Sequence, residues 1–167
     1  MKTKINSLND ALAFLLQGLY FAETKLKEEF PTCCGQITSV RISNEINHYT
    51  SNADNKLLKL ERVFNYLMKE PLTRPNEVIN ELMRETHQML DSTNSSHLRD
   101  ILSIGCIQNI NAYKIANYRS AYMIAVELEL DIATDLLQQI LEWEIVTGKV
   151  LAELSIEEFN KTQKANR

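Results

Sequence analysis

The chain has 167 residues, enough for one domain with a sizeable core and too few for two comfortable ones. With only 4 Gly and 3 Pro it is a poor candidate for a turn-rich β architecture, and 44% hydrophobic with 24% charged residues is the balance of an ordinary globular fold. A net charge of −4 speaks against a nucleic-acid partner. No apolar run is long enough for a membrane span and Met1–Asn6 lacks a signal-peptide core, so a cytoplasmic protein is expected.

Ser7-x-x-Asp10 predicts the start of a first helix, with Asp in the place of the usual Glu or Gln of a capping box. Leu12, Leu16, Leu19, Leu26 and Phe30 then repeat at helical steps with one gap, and Glu23 fills it. Pro31 is expected to end this helix, with Gly35 in the turn. A second helix is expected from about Gln36 to Lys69, striped by Ile42, Ile46, Tyr49, Ala53, Leu57, Leu60, Phe64 and Leu67. Glu45 borders that stripe and His48 lies further round. Pro71 and Pro75 bracket a break, Asn76–Leu90 reads as a shorter amphipathic helix, and Asp91–Ser96 is a loop rich in N-cap residues.

From Leu98 to about Leu128 the chain is apolar over most of a helical circumference, as in a deeply packed helix. Its stripe is Ile107, Ile110, Tyr118, Ala121, Ala125 and Leu128, and Lys114 completes the spacing. Asp131 is expected to cap the next helix, striped by Ala133, Leu137, Ile140, Glu144, Thr147 and Leu151. Ser155-x-x-Glu158 reads as the capping box of a separate tail helix. Strand-like alternation and internal repeats are absent. These elements predict an all-α fold: a four-helix bundle of the ferritin-like type, with a short extra helix supplying the crossover between helices two and three. One domain spans residues 1–167, with the bundle over about 8–154 and a polar tail over 155–167.

Glu23, Lys114 and Glu144 each stand where a core residue belongs. A buried, unpaired charge is too costly to persist, so such residues meet one another or a metal ion. Carboxylates from two helices and Glu-x-x-His pairs from the others hold a di-metal centre in bundles of this type, and Glu45-x-x-His48 has that spacing. Lys114 opposes this reading. At ~4 Å a unit-charge contact is worth about 4 kcal/mol at an effective dielectric near 20, repelling a cation and attracting carboxylates. Two readings of Lys114 stand: an internal counter-ion for Glu23, Glu45 and Glu144, or a lysine that extends its stem to solvent. Among the cysteines, Cys106 reads as a small core residue, while Cys33-Cys34-Gly35 lies at a helix–helix turn where redox chemistry is an open possibility.

The run Arg99-Asp-Ile-Leu-Ser-Ile-Gly-Cys-Ile-Gln-Asn-Ile-Asn-Ala-Tyr-Lys-Ile-Ala-Asn-Tyr118 resembles the signature helix of the YciE/YciF-like bacterial ferritin-like family, close to R-D-A-x-L-I-x-A-A-Q-x-V-E-H-Y-E-I-A-x-Y. Leu16-Gln-Gly-Leu-Tyr-Phe-Ala-Glu23 is similar to that family's L-x-D-L-Y-x-A-E, Glu45-Ile-Asn-His48 to its E-x-x-H, and Leu141-Glu-Trp-Glu144-Ile-Val-Thr147-Gly148 to its L-x-E-E-x-x-T-D. The resemblance covers about residues 8–154. It implies a ferritin-like bundle, often dimeric and linked with stress responses, whose activity is poorly defined. It also implies metal-type ligands at Glu23, Glu45, His48 and Glu144. The pattern departs on the third long helix, where E-H-Y-E is replaced by Asn111-Ala112-Tyr113-Lys114, and after Thr147, where Gly148 replaces the acid.

The expected function is accordingly a stress-associated protein without catalysis or cofactor. Its di-metal centre is lost, Lys114, Asn111 and Thr147 form a polar core cluster, and the chain pairs as a homodimer. The alternative is an iron or manganese oxidase, or a peroxide-handling protein, using Glu23, Glu45, Glu144 and His48. A helical module that reads another protein is a third possibility.

Overall fold

The computed structural model describes residues 4–165; of the expected 1–167 domain, residues 1–3 and the last two residues of the expected polar tail lie outside it. Five helices follow in order: α1 (Leu8–Cys33), α2 (Val40–Tyr66), α3 (Glu77–Asp91), α4 (Ser96–Glu127) and α5 (Asp131–Ala165). Ser7 Oγ accepts the Asp10 N–H at 3.1 Å, and the Asp10 carboxylate reaches back to the Asn6 N–H at 3.1 Å. Both groups satisfy amides that a helix start leaves without partners.

Several boundaries differ from the sequence-based expectation. Pro31 lies inside α1, which runs on to Cys33. A proline in the last turn removes one hydrogen bond but does not force an immediate stop. α2 is shorter at both ends than Gln36–Lys69. Its start is set by Ser39, and by Asp100 of α4, whose carboxylate takes the Thr38 and Ser39 N–H groups at 2.8 Å each and the Thr38 hydroxyl at 2.7 Å. The neighbouring Arg99 donates to the Leu90 and Thr93 carbonyls at the end of α3. The Arg-Asp pair that opens the signature run thus ties two helix ends to α4.

Asp131 is the first residue of α5 rather than its cap. The expected tail helix does not exist as a separate element, because α5 runs unbroken through Ser155. Leu151, Leu154 and Glu158 continue one buried stripe at helical spacing, so the packing that begins before Ser155 carries on past it. A capping box starts a helix only where the preceding backbone is not already helical.

α2 and α4 end alike. Met68 and Glu129 take positive φ values of 51° and 54°. The following amides reach back to Phe64 and Ala125, at 2.9 and 3.0 Å, in the Schellman arrangement.

Two apolar clusters reveal the topology. One joins the first half of α1 (Leu12, Leu16, Leu19) to the last part of α2 (Leu60, Val63, Phe64), the end of α4 (Tyr118, Ala121, Ala125) and the start of α5 (Ala133, Leu137, Ile140). The other joins Ala22, Leu26 and Phe30 of α1 to Ile42, Ile46 and Tyr49 of α2, Ile104, Ile107 and Ile110 of α4, and Leu151 and Leu154 of α5. Hence α1 and α5 run one way and α2 and α4 the other. The residues after α2 and the helix α3 must therefore carry the chain back along the bundle. That is the single long crossover anticipated from the sequence. α3 lies over α4 and α1, inserting Ile79 and Met83 into the second cluster. No described helix is long and apolar enough to cross a membrane.

Candidate functional site: a buried ion quartet

Between the two apolar clusters each long helix contributes polar residues at the same level. These are Glu23 on α1, Lys56 on α2, Asn111 and Lys114 on α4, and Glu144 on α5, all at most 2% exposed. Glu23 falls between Leu19 and Leu26, and Lys114 between Ile110 and Tyr118, because the stripes on these helices pass through them without a break.

Lys114 Nζ lies 2.7 Å from Glu23 Oε1 and 2.7 Å from Glu144 Oε1, and donates to the Tyr49 hydroxyl at 3.2 Å. Its three N–H donors thus have three acceptors. Lys56 Nζ pairs with the same Glu144 Oε1. Both ammoniums stand over the Tyr49 ring, each 4.8 Å from its centroid, where the ring's negative face adds attraction. The second Glu144 oxygen takes Asn111 Nδ2 at 2.7 Å and the Tyr49 hydroxyl at 3.4 Å; Asn111 Nδ2 also reaches the Glu144 carbonyl at 3.0 Å. Tyr118 donates its hydroxyl to Glu23 Oε1 at 2.8 Å. Two carboxylates therefore face two ammoniums, and the layer is neutral as a whole.

The protonation states follow from this geometry. Burial pushes the Glu144 carboxyl up, but the Lys114 and Lys56 ammoniums outweigh it and hold the group down at about 2. Burial opposes the charge on Lys114 too, yet Glu144 and Glu23 hold it well above the ordinary lysine value. Lys56 moves the other way: burial and the Lys114 charge depress it more than the carboxylates lift it. The two lysines differ because Lys114 touches two carboxylates and Lys56 only one. Burial, and then Glu23 for Tyr118 or Glu144 for Tyr49, pushes both phenols upward, so they remain donors.

The structure brings Glu23, Glu144, Lys114 and Asn111 together, and leaves the other sequence-derived candidates outside. Glu45 is half-buried and makes no ion pair among the described residues. His48 is exposed, with Nε2 3.4 Å from the Asn52 amide. Glu45 flanks the buried Ile42–Ile46–Tyr49 stripe without a hydrogen bond or ion pair to the quartet among the described residues, and His48 lies further round the helix toward solvent. Thr147 is half-buried and its side chain joins no hydrogen bond among the described residues.

The residue missed by sequence reasoning is Lys56. A signal for it existed, since Tyr49, Ala53, Lys56 and Leu60 follow helical steps, but Leu57 is the apolar choice at almost the same angle. Leu57 is in fact only partly buried. Gly148 also gains a reason. A Cβ there would stand 2.7 Å from Asn111 Oδ1, so the glycine makes room for the carboxamide that binds Glu144. The departures at 111, 114 and 148 thus form one matched arrangement.

This donor set does not fit two divalent cations. Such a centre needs several hard oxygen donors and usually imidazoles, whereas here the same volume holds two ammoniums and no histidine. Among the described residues no three His, Cys, Asp or Glu side chains are placed to hold a metal ion.

Comparison with known proteins supports the resemblance. Protein YciF of Escherichia coli K12 is 24% identical over 158 residues, spanning 94% of this chain and 95% of that protein. The crystal structure of the E. coli stress protein YciF superposes with a TM-score of 0.88 at 23% identity, covering 94% of this chain and 99% of that one. A Rhodopseudomonas palustris protein designated YcfI, provisionally called structural, gives a TM-score of 0.87 at 22% identity, covering 91% and 97%. At these identities the superpositions speak for the fold alone. The family model described as a domain of unknown function, DUF892, matches residues 7–164, and the chain belongs to that family, as a YciF-like member.

Proposed function

We propose that this chain is a stress-associated structural protein whose bundle interior is neutralised by its own lysines, in place of a catalytic di-metal centre. The observation that carries this reading is Lys114, held between Glu23 and Glu144 with Lys56 beside it. The description of E. coli YciF as a stress protein supports the physiological setting. A homodimer is part of the proposal, supported by Leu58, Trp143 and Val146, which leave apolar surface exposed on α2 and α5.

Elemental analysis of the purified protein, followed by anaerobic titration with ferrous iron or Mn²⁺, tests the central point. Substoichiometric metal is the expected result, and two tightly bound metals per chain would overturn it. The oxidase alternative requires Glu45 and His48 to join Glu23 and Glu144; the exposure of His48 and the lack of any hydrogen bond or ion pair from Glu45 to them among the described residues weigh against it. Turnover on exposing the iron-titrated protein to oxygen or peroxide would favour that alternative. Light scattering of the eluted peak checks the dimer.

A further inference from the structure

The ion quartet leaves the cysteines without a role, and two of them occupy an unusual position. Cys33 is the last residue of α1 and Cys34 its C-cap; both are free thiols. Cys34 is buried and Cys33 half-buried, so Cys33 is the more accessible of the two to a small solute. Cys33 and Cys34 are adjacent, so their side chains leave neighbouring α-carbons. The Cys34 thiol holds Cys33 below the usual thiol value, against burial and the Asp91 and Glu29 carboxylates. Cys33, with burial, pushes Cys34 upward. One sulfur is thus the readier thiolate, and its immediate neighbour carries a proton.

The backbone at this point can yield. Pro31 has no N–H, so the last turn of α1 lacks one of its helical bonds. The bonds that remain near the pair run from the Cys34 N–H to Phe30 at 3.0 Å, from the Gly35 N–H to Thr32 at 3.3 Å, and from the Ile37 N–H to Cys34 at 3.2 Å. Gly35 follows directly, the residue best able to absorb a change in backbone angle. Cys106, the third thiol, is differently placed. It is buried on α4 with its sulfur 3.8 Å from Met89 Sδ, and burial pushes it up.

We propose that Cys33 and Cys34 form a peroxide-oxidisable dithiol, with Cys33 as the attacking sulfur and Cys34 as the resolving one. The Cys33 thiolate displaces hydroxide from hydrogen peroxide, breaking the O–O bond and becoming a sulfenic acid; the hydroxide takes up a proton and leaves as water. The Cys34 sulfur then attacks the sulfenic sulfur, the S–O bond breaks, the Cys34 proton leaves with that oxygen as a second water, and an S–S bond joins the adjacent residues. Two thiols are oxidised by two electrons and one peroxide is reduced. The modification lies away from the ion quartet and does not depend on whether a metal is bound there.

The test is peptide mapping of peroxide-treated, alkylated protein under non-reducing conditions. Trypsin places both residues in one peptide, Glu28–Arg41, and Cys106 in another, Asp100–Lys114. A loss of about 2 Da in the first peptide is expected, restored by a dithiol reductant. In Cys34→Ser the reaction should stop at a Cys33 sulfenic acid that dimedone traps, and Cys106→Ser should leave the mass loss unchanged. Four results overturn the proposal: a cross-link between the two peptides, a cross-link between two Glu28–Arg41 peptides, sulfinic or sulfonic acid at Cys33 without mass loss, or oxidation no faster than that of free cysteine.

Discussion

Lys114 Nζ lies 2.7 Å from Glu144 Oε1 at the centre of the bundle, with both side chains wholly withdrawn from water. Contact of this kind neutralises charge more than it adds stability. Desolvating two ions is expensive, and attraction in the interior roughly repays it. The consequence is an asymmetry between breaking the arrangement and replacing it.

Glu144→Gln or Lys114→Met alone leaves the layer with an uncompensated charge, and each should lower unfolding stability by about 3–5 kcal/mol. Lys114→Met combined with Glu23→Gln restores neutrality and should cost clearly less than the sum of its parts. Urea unfolding of Lys114→Met, Glu23→Gln and their double variant measures this. Additive losses would show that the charges do not act as a unit.

The quartet also sets an acid limit. Glu144 sits at about 2 in the folded chain against an ordinary 4.5, so its contribution is present above about pH 4.5 and disappears as the pH falls toward about 2. The shift corresponds to about 3 kcal/mol. Urea midpoints measured between pH 6 and pH 3 should fall, and Glu144→Gln should flatten that fall. At the alkaline end the signs divide. Lys114 stabilises fully below about pH 10.5 and fails only as the pH rises through its elevated folded value. Protonated Lys56, depressed in the fold, opposes folding until it loses its proton, and does so first.

Two helical glycines should respond oppositely to alanine. Gly148→Ala places a Cβ 2.7 Å from Asn111 Oδ1 and should destabilise by about 1–3 kcal/mol, with recovery in an Asn111→Ala background. Gly105 has nothing within 4 Å of a built Cβ, so Gly105→Ala should stabilise by about 0.5–1 kcal/mol through helix propensity. Thermal melts of the two variants distinguish a packing glycine from a dispensable one.

Glu129 holds φ at 54° in the Schellman turn after α4, a region costly for any residue with a Cβ. Glu129→Gly should raise stability by about 1 kcal/mol, whereas Glu129→Ala, which keeps the strain, should not. Equal effects of the two substitutions would assign the gain to the lost charge instead.

Much of this architecture was legible beforehand. Leucines at steps of three and four on α1, the isoleucines of α4 and the break around Pro71 and Pro75 marked four long helices and a short insert. Interruptions of those stripes located Glu23, Lys114 and Glu144 as inward-facing charges. Ser155 misled, because a capping box is a local pattern and the buried stripe through Leu151, Leu154 and Glu158 overrides it.

By itself the sequence determined which face of each helix turns inward, since helical periodicity is a property of one segment. It could not determine which inward residues on different helices meet. That depends on how far each helix slides and rotates against its neighbours, to which a pattern along one strand of chain is blind. Lys56 shows the difference. A rotation of one residue, about 100°, separates it from Leu57, and only the packing of α2 against α5 turned the ammonium inward onto Glu144. Glu45, half-buried beside the stripe, and His48, exposed, stay out of that layer, leaving the interior of the bundle to two carboxylates and two lysines.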